Sequence, residues 1–182
     1  MSSSVAAVGE PTLDVATHAW PRATGVGPAS SPDQEELRDF CSLLSLADRV
    51  LIASPDRDAT AARLLSVVLE DLGFVAQVVD ARTIHRVQRY DTVVAVCAAE
   101  ADSGLIDLLR PALRARAVLL AVTVSRRSAL LPRADAAVTV SAPAVGRLSA
   151  DQATSIVGFD LRLIVAVDAI RRDLDRRRRA PF

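Results

Sequence analysis

The sequence predicts an α/β fold: a doubly wound parallel sheet with helices on both faces. Strand-like and helix-like segments alternate from Arg49 onward, as right-handed βαβ crossovers require. The strand segments, among them "VLIAS", "TVVAVC" and "AVLLAVTV", are unbroken aliphatic runs. Parallel strands buried on both faces have that composition. At 182 residues the chain has the length of one domain. A domain of this size buries about 70% of its unfolded surface and needs no disulfide or metal staple.

Residues 1–32 are rich in Ser, Ala, Gly and Pro and lack periodicity, so they are expected to be a disordered or loosely attached arm. Trp20 is its only bulky side chain. The domain is expected over 33–178, with a short tail at 179–182. Asp33 opens a helix, "DQEELRDFCSLLSLA", whose first turn is crowded with carboxylates that suit the positive end of the dipole. Leu37, Phe40 and Leu44 form its apolar stripe, and Cys41 among them reads as a small core residue.

Arg49–Ser54 is expected as the first strand, followed by a helix over Asp58–Leu72 that stops at Gly73. Phe74–Asp80 and Asp91–Cys97 read as the second and third strands. A helix over Ser103–Ala115 is expected to be interrupted by Pro111. Ala117–Val124 and Ala136–Ser141 are the fourth and fifth strands, and a long helix runs from Asp151 to Arg176. Its stripe, from Ile156 and Phe159 through Leu163, Val167 and Ile170 to Leu174, is wide enough to bury against a partner chain as well as the sheet.

Composition narrows the function. Aromatic residues are 3% of the chain and the formal net charge is zero, so neither base stacking nor a general pull toward polyanions is expected. All 22 basic residues are Arg, as GC-rich coding produces. The terminal "RRDLDRRRRAPF" reads as a solvated helix end, and four arginines without interleaved aromatics are weak evidence for nucleic acid. Two cysteines make no disulfide framework and fit a reducing compartment. No signal peptide and no apolar run of about 18 residues is recognised, so a cytoplasmic protein without membrane attachment is expected.

Four segments carry a resemblance. They are "ADRVLIASPDRDATAARLLSVVLEDLGFVAQVVD", "YDTVVAVCAAEADSGLIDLLRPAL", "AVTVSRRSALLPRADAAVTVSAP" and "GFDLRLIVAVDAI". From about Leu46 to Arg176 the chain resembles the sugar isomerase (SIS) domain, and within that group the 6-phospho-3-hexuloisomerases. The resemblance implies a three-layer αβα sandwich with a five-stranded parallel sheet in the flavodoxin-like order 2-1-3-4-5. It also implies helix-mediated homodimers or homotetramers with active sites shared between subunits. The reaction it implies is aldose–ketose isomerisation of a phosphosugar by carboxylate proton transfer, with no cofactor.

The site positions depart from that pattern. The family's glycine-rich turn after strand one, G-A-G-R-S-G, reads here Ser54-Pro55-Asp56-Arg57-Asp58-Ala59, and only Arg57 is kept. The phosphate loop S-G-S-G-E-T reads Cys97-Ala98-Ala99-Glu100-Ala101-Asp102. The proton-transferring Glu falls on Asp160, a carboxylate on a shorter stem. A phosphate needs convergent N–H and O–H donors. Two like unit charges at about 4 Å cost about 4 kcal/mol at an effective dielectric of 20, roughly a thousandfold in affinity. Ser103, Arg57, Arg126 and Arg127 offset part of that repulsion.

In the 2-1-3-4-5 order strands one and three flank the switch point, where ligands bind such sheets. Asp56, Asp58, Glu100 and Asp102 are therefore expected at one crevice, beside Ser54, Arg57, Cys97 and Ser103. Those acids can hold a hydrated Mg²⁺ or an amine-bearing ligand, or can cap helices, the reading favoured for Asp58 and Asp102. Cys97 has no activating neighbour in sequence and reads as a buried strand-end thiol. His85 follows strand two, where a general base, a ligand contact and an ordinary surface His all remain open.

Two functions are expected. One is a divergent isomerase acting on a modified, non-standard phosphosugar or amine-bearing small molecule, with Asp160 and His85 as catalytic residues. The other is a non-catalytic member: a ligand sensor, or the structural partner of an active paralogue in a hetero-oligomer.

Overall fold

A computed structural model describes residues 31–100, 102–140 and 161–179. Five strands form one parallel sheet: β1 (Val50–Ala53), β2 (Ala76–Val78), β3 (Thr92–Cys97), β4 (Val118–Thr123) and β5 (Ala136–Thr139). Their order is β2-β1-β3-β4-β5, the doubly wound arrangement expected. Among the described residues four α-helices flank it: α1 (Gln34–Leu44), α2 (Ala59–Asp71), α3 (Ser103–Ala115) and α4 (Leu161–Arg179). The reversal of strand order falls between β1 and β3, which pair from Val50↔Thr92 to Ala53↔Ala95.

Alternation along the strands divides the core in two. Val50, Ile52, Val94, Val96, Leu120 and Val122 face one layer, built from α1, α2 and α4. Leu51, Ala53, Val93, Ala95, Leu119 and Ala121 face the other, built from α3 and the 3-10 turn Ile84–Arg86. The central strands are buried along their length, which explains why no polar residue interrupts them. β2, at the sheet edge, is half-buried to exposed and shorter than its apolar sequence suggests.

Helix ends follow local chemistry. Asp33 caps α1, its Oδ1 accepting from the N–H groups of Glu35 (2.8 Å) and Glu36 (3.3 Å). Gly73 closes α2 at φ 75°, a conformation open to Gly at no steric cost. Pro111 does not interrupt α3, which runs intact over the expected residues. The carbonyl that Pro111 leaves without an N–H donor belongs to Asp107, whose side chain is well exposed, so water can take the donor's place. The described α4 ends at Arg179, three residues beyond the expected end. The segment 151–160, including Ile156, Phe159 and Asp160, lies outside the described residues, as do residues 1–30 of the arm.

Glu36 ties α1 to the carboxyl end of the sheet. Its Oε2 accepts the Thr139 N–H (3.1 Å) and its Oε1 pairs with Arg126 (2.9 Å). No helix among the described residues is long and apolar enough to cross a membrane.

Candidate functional site at the strand switch point

The sequence places a strand end, a turn and a helix start at the carboxyl ends of both β1 and β3. Pairing of those strands brings the two turns face to face. After β1, Pro55 is followed by the 3-10 turn Asp56–Asp58, which leads into α2. After β3, residues 98–102 lead into α3.

Asp58 is buried, with 2% of its surface exposed. It makes no capping bond to its own helix. Its Oδ2 instead crosses to the second turn and accepts the Ala98 N–H at 3.0 Å. The capping reading of Asp58 therefore gives way to a contact between the two turns. Asp102 does cap its helix, with Oδ1 accepting the Leu105 N–H at 2.8 Å. Its other oxygen, Oδ2, receives Arg57 Nη2 at 2.6 Å, while Arg57 Nε lies 3.9 Å from Asp58. Arg57 thus stands between two carboxylates, one from each turn.

The third wall comes from the loop after β4. Ser125 Oγ donates to Glu100 Oε1 (3.0 Å), and the Ala129 N–H donates to the Glu100 carbonyl (2.7 Å). Cys97, Glu100, Asp102, Leu105, Ala129 and Leu130 close around a gap too narrow for a water molecule. The Cys97 thiol is buried, and burial pushes its pKa up, with the Asp58 and Asp102 carboxylates adding to the effect. It is accordingly a poor nucleophile.

Arg57, Asp58, Cys97, Glu100 and Asp102 are thus gathered at one crevice. Ser54 follows the last residue of β1 at the crevice's edge, half-buried, while Asp56 and Ser103 are exposed on the first residues of their turn and helix. Arg126, expected to offset the acidic charge here, is turned instead to Glu36. Among the described residues no group of three or more His, Cys, Asp and Glu is placed to hold a metal ion. Asp160 lies outside the described residues.

His85 is not part of this cluster. It is exposed on the 3-10 turn after β2, and the next carbonyl, that of Arg86, accepts Arg49 Nη2 at 3.4 Å. Arg49 precedes β1, so the turn leads toward the amino-terminal edge of the sheet. There Arg49 Nε also pairs with Asp91 at 2.8 Å, beside a cavity of about 110 Å³ lined by Arg49, Leu51, Gln77, Val79, Thr83 and Arg86. Burial alone would push the Asp91 carboxyl up. The Arg49 guanidinium and the Gln88 N–H outweigh it and hold that carboxyl below its ordinary range.

Two participants were not anticipated from the sequence: Ser125 and the backbone amide of Ala98. Ser125 lies just past the end of β4, and with β4 beside β3 in the sheet that position was the available signal.

This geometry can be set beside known structures. The fold is that of sugar isomerase domains. The sugar isomerase domain of an RpiR transcription factor from Sphaerobacter thermophilus superposes with a TM-score of 0.66 at 18% identity, covering 81% of this chain and 80% of that one. A proposed sugar-phosphate isomerase from Listeria monocytogenes gives a TM-score of 0.69 at 15% identity, covering 83% and 81%. A Methanococcus jannaschii protein, for which a 3-hexulose-6-phosphate isomerase function was inferred, gives 0.66 at 14%, covering 81% and 80%. No family model and no curated protein matches the sequence.

Proposed function

We propose that this SIS-fold protein is non-catalytic and serves as a sensor or structural subunit, with its anion cradle occupied by its own side chains. One observation carries the reading: the buried Asp58 carboxylate accepts the Ala98 amide. In the resembling isomerases the loop at these positions wraps a phosphate. Here the loop amide is already satisfied by an internal anion, and Arg57, the one retained cation of the turn, is held by Asp102. Both of these donors therefore have a partner within the chain. An incoming phosphosugar would have to break those contacts and face the carboxylates left behind. The similarity to the sugar isomerase domain of a transcription factor is consistent with a regulatory use of this scaffold. Under this reading the protein is cytoplasmic, and its partners are a small molecule or an active paralogue.

The test combines turnover with thermal stability. Hexulose 6-phosphate and aminosugar 6-phosphates should be neither isomerised nor able to raise the Tm of the wild-type chain, since selective ligands stabilise by linkage. Isomerisation of any of these sugars, abolished by Asp160→Ala, would overturn the proposal and restore the isomerase reading.

A further inference from the structure

We infer that the arginine-lined cavity over β1 and β2 is a second binding site, which takes a short carboxylate carrying a hydroxyl or carbonyl group. The cavity arises from the way β2 is joined to β3. Parallel sheets are ordinarily covered by helices on both faces. Between these two strands the chain forms only the 3-10 turn Ile84–Arg86. Leu51 pairs in register with Gln77, so both side chains stand on the α3 side of the sheet, as does Val79 two residues on. The short turn leaves a gap of about 110 Å³ between these side chains and Thr83 and Arg86. That is well above the about 10–15 Å³ one water needs and below the roughly 300 Å³ of pockets for larger ligands. The walls are preformed. Ile84 is buried and pins the turn to the core. Asp80 Oδ1 accepts the N–H groups of Arg82 and Thr83 and the Thr83 hydroxyl, each at 2.9 Å. A site already ordered spares a ligand the cost of ordering it.

The lining selects the ligand. It holds two guanidinium groups and no carboxylate. Arg49 is oriented by Asp91, with Nε donating to Oδ1 at 2.8 Å and Nη2 to Oδ2 at 2.5 Å. Its Nη1 has no partner among the described residues, so donors remain after Asp91 has fixed the plane of the group. The exposed Arg86 side chain and the Gln77 amide likewise make no hydrogen bond or ion pair among the described residues. Arg82 and Arg89 lie on the same connection, whose two acids are engaged: Asp80 by its own turn, Asp91 by Arg49 and the Gln88 N–H at 2.7 Å. An anion is therefore favoured, and the planar guanidinium fork matches a carboxylate. Leu51 and Val79 supply an apolar floor that a carbon stem covers and a bare inorganic anion does not. Gln77 can bond a hydroxyl or carbonyl on that stem, and the volume limits the stem to a few carbons. The cavity shares no lining residue with the switch-point crevice, so it can fill whether or not the crevice is catalytic.

The test titrates the isotope-labelled full-length chain with lactate and follows backbone amide shifts by NMR. Lactate at tens of millimolar or below should shift the amides of Gln77, Thr83 and Arg86 saturably, and lactamide, its neutral counterpart, should not. Arg86→Gln, at a side chain without a partner among the described residues, should weaken lactate at least tenfold with an unchanged circular dichroism spectrum. Arg49→Lys keeps a cation against Asp91 but lacks the second arm of the fork, and should weaken lactate to a similar degree. Gln77→Leu should lower the affinity for lactate to that for propionate, which has no hydroxyl. Absence of saturable shifts at these amides would overturn the inference. Equal binding of lactamide would refute recognition of charge, and equal binding of inorganic phosphate would refute the carboxylate class. Shifts centred on Ala98, with Gln77 and Arg86 unmoved, would place the anion in the crevice and refute this site.

Discussion

Replacing Asp58 with Ala removes the contact that joins the two turns. The side chain is buried, and its Oδ2 accepts the Ala98 N–H at 3.0 Å. A hydrogen bond to a charged group contributes about 1.5–3 kcal/mol, and a buried N–H left without its acceptor costs about 1–3 kcal/mol. Those two figures describe the same loss and are not summed, so Asp58→Ala should cost about 2–3 kcal/mol. For a chain of this length that corresponds to a Tm lower by about 4–12 °C. Asp58→Asn keeps an acceptor oxygen at the same reach and should cost about 1 kcal/mol. Urea unfolding of the three proteins, with the denaturant slope unchanged, measures the order. Inorganic phosphate sharpens the assay. In Asp58→Ala the Ala98 amide lies open near Arg57, so phosphate at tens of millimolar should stabilise this variant and not the wild type. The reasoning fails if the substitution costs under about 0.5 kcal/mol, the range of ordinary surface changes. It fails equally if phosphate raises the wild-type Tm by as much as the variant's.

The remaining predictions concern other contacts. Asp102→Ala should cost about 1 kcal/mol, nearly all from the lost helix cap, because its bridge to the half-exposed Arg57 is screened; urea midpoints measure it. Asp91 has a carboxyl held below its unfolded value, so its contribution to stability is present above about pH 4 and is lost as pH falls through the lower folded value. Asp91→Asn should flatten the acid limb of a stability–pH curve, and an unchanged limb would exclude this role. Gly73→Ala, at φ 75° with Arg178 Nη2 3.1 Å from the added methyl position, should destabilise by about 1 kcal/mol in the same urea assay. Both thiols are buried, and burial pushes Cys41 up to about 12, so a disulfide reagent at pH 8 should label neither until the chain is unfolded.

Legibility differed sharply between scaffold and site. The strands could be placed because burial on both faces leaves a continuous aliphatic run, which survives in the sequence whatever the register. β2 was drawn too long because its apolar residues continue past the ladder, and an edge strand stops where its single neighbour stops. Pro111 misled because its cost depends on whether the Asp107 carbonyl reaches water, which no local pattern reports. At the crevice, the residue types and their gathering at one end of the sheet followed from strand order. Their partners did not. Asp58 reaches an amide 40 residues away, Arg57 a carboxylate 45 away, and Glu100 a hydroxyl 25 away. Such choices are made by rotamers after the sheet has formed. A carboxylate before a helix looks like a cap in sequence, whether it turns back to its own helix, as Asp102 does, or crosses to another loop, as Asp58 does.

The first helix of the domain packs against its last strand and last helix. Glu36 reaches Thr139, the Cys41 thiol points at the Ile170 carbonyl, and Arg177 grips Ser42 Oγ and the Arg38 carbonyl. During synthesis, then, α1 leaves the ribosome more than a hundred residues ahead of the surfaces that shelter it. Leu37, Phe40 and Leu44 therefore keep part of their apolar surface uncovered until β5 and α4 have both been made, so α1 docks late.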